Sequence, residues 1–144
     1  MMRNRVLFFT IITVALTVSC LAFAENQYAN DVAVIEDMTT VMGEYADKME
    51  AADSTEDVIA ATDALSDALD KLGQKMKAVT KKHPGWIDES PDEVKDVMGR
   101  YRDAEGRFNS SLNKLVRYTN NTMDNQALED SFQRLNLIIY EMYD

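Results

Sequence analysis

Residues 35–49 read IEDMTTVMGEYADKM, and in them Ile35, Met38, Met42, Tyr45 and Met49 recur at alternating steps of three and four. On a helix of about 3.6 residues per turn this spacing lays the five side chains along one stripe, the seam of a helical bundle. The helix that carries it is predicted from about Asn26 to Ala52. Just beyond it, Ser54-Thr55-Glu56-Asp57 has the form of an N-terminal cap, a hydroxyl to accept a free backbone N–H and acids at the positive end of the helix dipole. A second helix follows to about Lys82, with Val58, Leu65, Leu69, Leu72, Met76 and Val79 inward. Lys81 and Lys82 suit its negative end, and His83-Pro84-Gly85 stops it.

Ser90-Pro91-Asp92-Glu93 predicts the start of a third helix, with Ser as cap, Pro where its missing N–H costs nothing, and Glu placed to bond back. Its inward residues are Val94, Val97, Met98, Tyr101, Phe108, Leu112 and Leu115, and it ends near Asn120-Asn121. The fourth runs from about Asn125, capped by Asp124, and buries Leu128, Phe132, Leu135, Ile138 or Ile139, and Met142. No run of alternating β-branched residues lies between turn signals, so no sheet is expected. Long helices joined by short connections predict an all-α, antiparallel up-down-up-down four-helix bundle. In that topology the start of the first helix, the 83–94 connection and the end of the fourth share one end of the bundle. His83, Trp86, Tyr140, Met142 and Tyr143 gather there.

The chain has 144 residues, 15 basic and 25 acidic, for a formal charge of −10, with one His and one Cys. Such an acid surplus argues against nucleic-acid binding, which depends on Lys and Arg neutralising phosphates. A single Cys makes no intrachain disulfide and no zinc cluster, and a single His leaves little for a Ser-His-Asp site. No Glu-x-x-His pair, calcium loop or phosphate loop is present. An enzyme is not expected.

Residues 1–24 place Arg3 and Arg5 before the apolar run Val6 to Val18 and end in Ala22-Phe23-Ala24 ahead of Glu25, the pattern of a signal peptide. The run is shorter than the roughly 20 residues that a permanent membrane helix needs, and no second one follows. The expectation is a periplasmic protein, residues 25–144, with no membrane span and one four-helix-bundle domain. Loss of the two arginines would take its charge from −10 to −12. Cys20 offers a second address, an acylated N-terminus after Leu16-Thr17-Val18-Ser19.

Few side chains could carry chemistry. His83, before a Pro in a polar loop, reads as solvated or as a metal or haem ligand. Trp86 reads as a plug in the open end of the core or as a stacking platform. A thioether can ligate haem iron, but Met38, Met42, Met49, Met76, Met98 and Met142 sit at seam positions, where Met is pliable filling. Gly43, Gly73, Gly99 and Gly106 fall inside helices, and Gly99 and Gly106 share a face that would let a backbone or a flat ligand approach. The acids read as a solvated surface attractive to basic partners.

Ile35-Glu36-Asp37, the turn Ala52-Asp53, the helix start Ser90-Pro91 followed by Val94-Lys95-Asp96, and the ending Tyr140-Glu141-Met142-Tyr143 together resemble the cytochrome b562 family. These are small exported four-helix bundles that hold one non-covalent haem b, and the likeness covers roughly Ile35 to Asp144. In that family a Met near the start of the first helix and a His near the end of the last hold the iron. On this sequence the Met position falls on Thr39, beside Met38, and the His position falls on Tyr140. The resemblance implies haem binding and electron transfer, with Met38 as one axial ligand, Tyr140 or His83 opposite, and Trp86, Tyr101 and Phe108 lining the pocket. The missing His shifts the expectation to a haem-free bundle with a binding role. The alternative, from charge alone, is an acidic inhibitor or immunity-type protein with a basic partner. Leu137, Ile138 and Ile139 widen the apolar arc of the last helix, so monomer and homodimer both stay open.

Overall fold

The computed structural model describes residues 28–122 and 124–143. The expected signal peptide, its cut after Ala24, and Cys20 lie outside these residues. Four helices follow one another: α1 over 28–51, α2 over Thr55–Lys82, α3 over Lys95–Asn121 and α4 over Gln126–Tyr143. Among the described residues there is no strand, and no helix is long and apolar enough to cross a membrane. The packing below concerns the compact unit Ala33–Asp144.

The α1 seam is closed, with Ile35, Met38, Met42, Tyr45 and Met49 all buried. All six residues expected inward on α2 are buried as well, joined by Ala61, Thr62, Ser66 and Gly73. Thr62 and Ser66 can sit there because each hydroxyl donates to the carbonyl one turn back, Val58 O at 2.7 Å and Thr62 O at 2.9 Å. On α3 only Met98, Tyr101, Ala104 and Leu115 are buried; Phe108 and Leu112 are half-covered. On α4, Leu128, Ser131 and Leu135 are buried, while Phe132, Ile138, Ile139 and Met142 are half-buried.

Polar bonds between helices fix their order. Arg100 reaches Glu36 at 2.8 Å, Arg107 reaches Asp47 at 2.5 Å, and Lys114 Nζ donates to Met49 O at 2.5 Å, all from α3 to α1. From α4 to α2, Ser131 Oγ donates to Asp63 at 2.7 Å and Arg134 reaches Asp67 at 2.6 Å; Lys77 Nζ of α2 donates to Glu141 O at 3.3 Å. In both sets the residue numbers rise together, so α1 and α3 are parallel, as are α2 and α4. Successive helices still run up, down, up, down, as the sequence predicts. With α1 also against α2, and α3 touching α4, the order around the bundle is α1, α2, α4, α3. The 83–94 connection therefore crosses a diagonal of the bundle end.

The local signals hold in part. Ser54 forms the expected capping box, accepting from Asp57 N at 3.1 Å while the Asp57 carboxylate accepts from Ser54 N at 3.1 Å. The Ser54 hydroxyl, donating to the Asp57 carboxylate at 2.7 Å, and the Asp53 N–H, donating to it at 3.3 Å, hold that carboxyl below the usual range. Ser90 does not cap α3. Bonds from Val94 N to Pro91 O at 3.1 Å and from Lys95 N to Asp92 O at 3.4 Å make a tight turn first, which drops Val94 into the core, and the helix begins at Lys95. Asn125 rather than Asp124 caps α4, its Oδ1 accepting from Leu128 N at 3.0 Å. The Asn125 N–H is tied to Thr122 O at 3.1 Å, which sets Asn125 and not its neighbour at the capping position.

Of the four helical glycines, only Gly73 supports a close approach: a Cβ there would lie 2.8 Å from Met142 Cγ and 3.0 Å from its sulfur. At Gly43, Gly99 and Gly106 a Cβ would meet nothing within 4 Å. Replacing each of these three by Ala is expected to stabilise the protein by about 0.5–1 kcal/mol in urea melts, as helix propensity dictates. Gly73→Ala is expected to lose about 1 kcal/mol net, the collision outweighing the propensity gain, and Met142→Ala in the same chain should remove that loss. Equal stabilisation at all four positions would contradict this packing of α4 on α2.

Candidate functional site

The 83–94 connection is organised by its own backbone. His83 ends α2 with its N–H on Val79 O at 2.9 Å, and Trp86 N donates to His83 O at 3.1 Å. Glu89 N then donates to Gly85 O at 2.8 Å, closing a second turn. The outcome is a flat stack of the His83 and Trp86 rings, 3.7 Å between centroids and 8° from parallel. Trp86 is 7% exposed, so its indole is the plug of this bundle end, and the His83 ring covers part of it. Downstream, Arg102 donates to Ile87 O at 3.5 Å and holds the connection to α3.

The other residues expected at this site are dispersed. Met38 is 3% exposed within the core, whereas Tyr140 is 65% exposed on the outside of α4. Two axial ligands to one iron must enter the same space, and these two side chains do not. Phe108 packs edge-on against Tyr45, 5.7 Å and 61° apart, filling the α1–α3 interface at that level, and Tyr101 is buried in the same helix. The side chains present therefore do not fit a haem between Met38 and Tyr140. A shallow cavity of about 300 Å³ lies at the opposite end of the bundle, lined by Lys114, Arg117, Tyr118, Asn121 and Thr122. None of the expected ligands lines it. Among the described residues no cluster of three His, Cys, Asp or Glu is placed to hold a metal ion.

Tyr45 is a feature that periodicity alone hides. Its ring occupies a seam position, yet its hydroxyl is buried without a hydrogen bond. Burial pushes the phenol up to about 12, and the nearby Thr62 hydroxyl offsets this only in part. Tyr45 therefore stays neutral and serves the core.

The surface is less uniform than a solvated acidic coat. Arg100, Arg107 and Lys114, each seven residues from the next, all turn toward α1, and Arg134 toward α2. That repeat is visible in the sequence, since seven residues are close to two helical turns. On the outside of α4 the carboxylates have neutral partners instead: Gln126 donates to Asp130 at 2.7 Å and Gln133 to Glu129 at 2.7 Å. Leu137, 61% exposed, and Tyr140 share this face and are the most exposed large hydrophobic residues among those described.

Comparison with known protein families, with characterised proteins and with solved structures gives no match for this chain. Removing the imidazole is the direct test of the plug. His83→Ala is expected to red-shift and weaken the Trp86 emission as water reaches the uncovered indole, at a cost of about 0.5–1.5 kcal/mol in stability. Unchanged emission would mean that the stack does not form in solution.

Proposed function

We propose that this chain is an exported, haem-free four-helix bundle of the cytochrome b562 type that acts by binding a basic protein partner and catalyses no reaction. One observation carries the reading: three of the five arginines among the described residues are engaged with carboxylates of the bundle. Arg100 is held between Glu36 and Asp96, Arg107 between Asp47 and Glu50, and Arg134 by Asp67. Asp88, Glu89, Asp92 and Glu93 in the 83–94 connection stay exposed, as do the carboxylates on the outside of α4. The acid surplus, −12 for residues 25–144, then acts outward, where it speeds encounter with a cationic surface and disfavours like-charged ones. An inhibitor or immunity factor for a basic secreted protein belongs to this class.

The haem-free part of the reading rests on the axial positions, because Met38 is inside and Tyr140 outside. Titration of purified residues 25–144 with haemin, followed by absorption in both oxidation states, is expected to give only weak, non-saturating changes. A sharp Soret band saturating at one haem per chain, and weakened by changing Met38, Tyr140 or His83, would overturn the reading and restore an electron carrier.

A further inference from the structure

Beyond charge, the outside of α4 has a definite pattern. Gln126, Glu129, Asp130, Gln133, Leu137, Tyr140 and Glu141 lie on the side of the helix opposite the buried Leu128, Ser131 and Leu135, and all seven are exposed. Leu137 and Tyr140 are one turn apart, so together they make one apolar ridge. The residues of this face include three carboxylates and no Lys or Arg; the cation that reaches it is Lys77 of α2, whose Nζ donates to Glu141 O at the end of the ridge. Asp130 and Glu129 accept from Gln126 and Gln133, which leaves their charge uncompensated, and the nearest arginine, Arg134, is turned away onto Asp67.

We infer that this face of α4 is the docking surface of the bundle, and that its partner is a cationic amphipathic helix with apolar anchors for Leu137 and Tyr140 and Lys or Arg for Glu129, Asp130 and Glu141. The inference rests on the reading of the chain as a binder of basic proteins and names where and how it binds. Charge selects the occupant. A second copy packed parallel sets these acids against the same acids. Packed antiparallel, it brings Glu129 and Asp130 beside the negative, C-terminal end of the other copy's α4. The parallel arrangement supplies no cation and the antiparallel one only Lys77, already bonded to Glu141 O, whereas a basic helix supplies cations along its full length. Apolar anchors framed by complementary charge are the form that helix recognition takes on such a face, the anchors giving affinity and the charges orientation.

The test uses two synthetic peptides of equal length and charge with purified residues 25–144. One is a Leu/Lys helix with apolar residues at every third and fourth position; the other has the same lysines with the leucines replaced by Gln. Binding is followed by anisotropy at low and high salt, for the wild type and for Leu137→Gln/Tyr140→Gln, which leaves the net charge unchanged and whose fold is checked by circular dichroism. The expected result is that the amphipathic peptide binds at least about tenfold more tightly than the Gln peptide, that salt weakens it, and that the double variant removes this advantage. Equal binding of the two peptides, or an advantage that survives the double variant, would overturn the α4 surface and leave the basic-partner reading standing. Failure of both peptides to bind at low salt would overturn that reading and with it this one. Sedimentation as a dimer that the double variant dissociates would assign the face to a second copy and overturn the inference.

Discussion

The placement of α3 against α1 is the constraint on which the rest of the bundle depends. α3 buries four residues where α2 buries ten, so apolar contact alone does little to choose its neighbour. α1 carries Asp31, Glu36, Asp37, Glu44, Asp47 and Glu50 against a single Lys48, and α3 presents Arg100, Arg107 and Lys114 at one per two turns. Half-exposed pairs of this kind are screened by solvent and contribute little each, so they do not hold the fold up; the closed seam does that. They decide which helix α3 lies beside. Lys114 adds a second effect, since Met49 O belongs to the last turn of α1 and a cation there satisfies a free carbonyl at the negative end of the dipole.

Once α3 is beside α1, the chain must cross the bundle end between Lys82 and Lys95, and the features of the 83–94 connection follow. A crossing segment covers the core, which gives Trp86 its buried place and His83 its stack. It also leaves the acids Asp88, Glu89, Asp92 and Glu93 on the outside, where they add to the surplus. On the other side of the molecule α4 lies along α2, close enough at Gly73 for Met142 to rest where a Cβ would be. Its opposite face, with Leu137 and Tyr140, is left with no helix among the described residues to cover it.

Much of this was legible in the sequence, for identifiable reasons. The α1 seam and the α2 inward residues are periodic, and periodicity reports burial directly; the Ser54 capping box and the Lys81-Lys82 ending are local chemistry. The start of α3 was not, because a Ser-Pro-Asp-Glu run fits both a cap and the tight turn that precedes Val94, and only the burial of Val94 separates them. Lateral order escaped because short connections fix the direction of successive helices and not which pair is diagonal. For the site, Trp86 as a plug was readable and Met38 as core was readable, while the exposure of Tyr140 was not: a Tyr near the end of an amphipathic helix is compatible with either face. The resemblance to a haem-binding family placed Tyr140 by alignment, and its position on the helix is what separates it from Met38.

The turning of Arg100, Arg107, Lys114 and Arg134 onto neighbouring helices, with an acidic face left on α4, means that this bundle works from its outside and not from its core. The most direct measurement is a residue-resolved map of amide chemical shifts as the cationic amphipathic peptide is added. Perturbations are expected to concentrate between Gln126 and Glu141, with the seam residues Ile35 to Met49 unmoved. Perturbations centred on His83, Trp86 and the seam would contradict it, since they would place the ligand at the bundle end and return the function to the core.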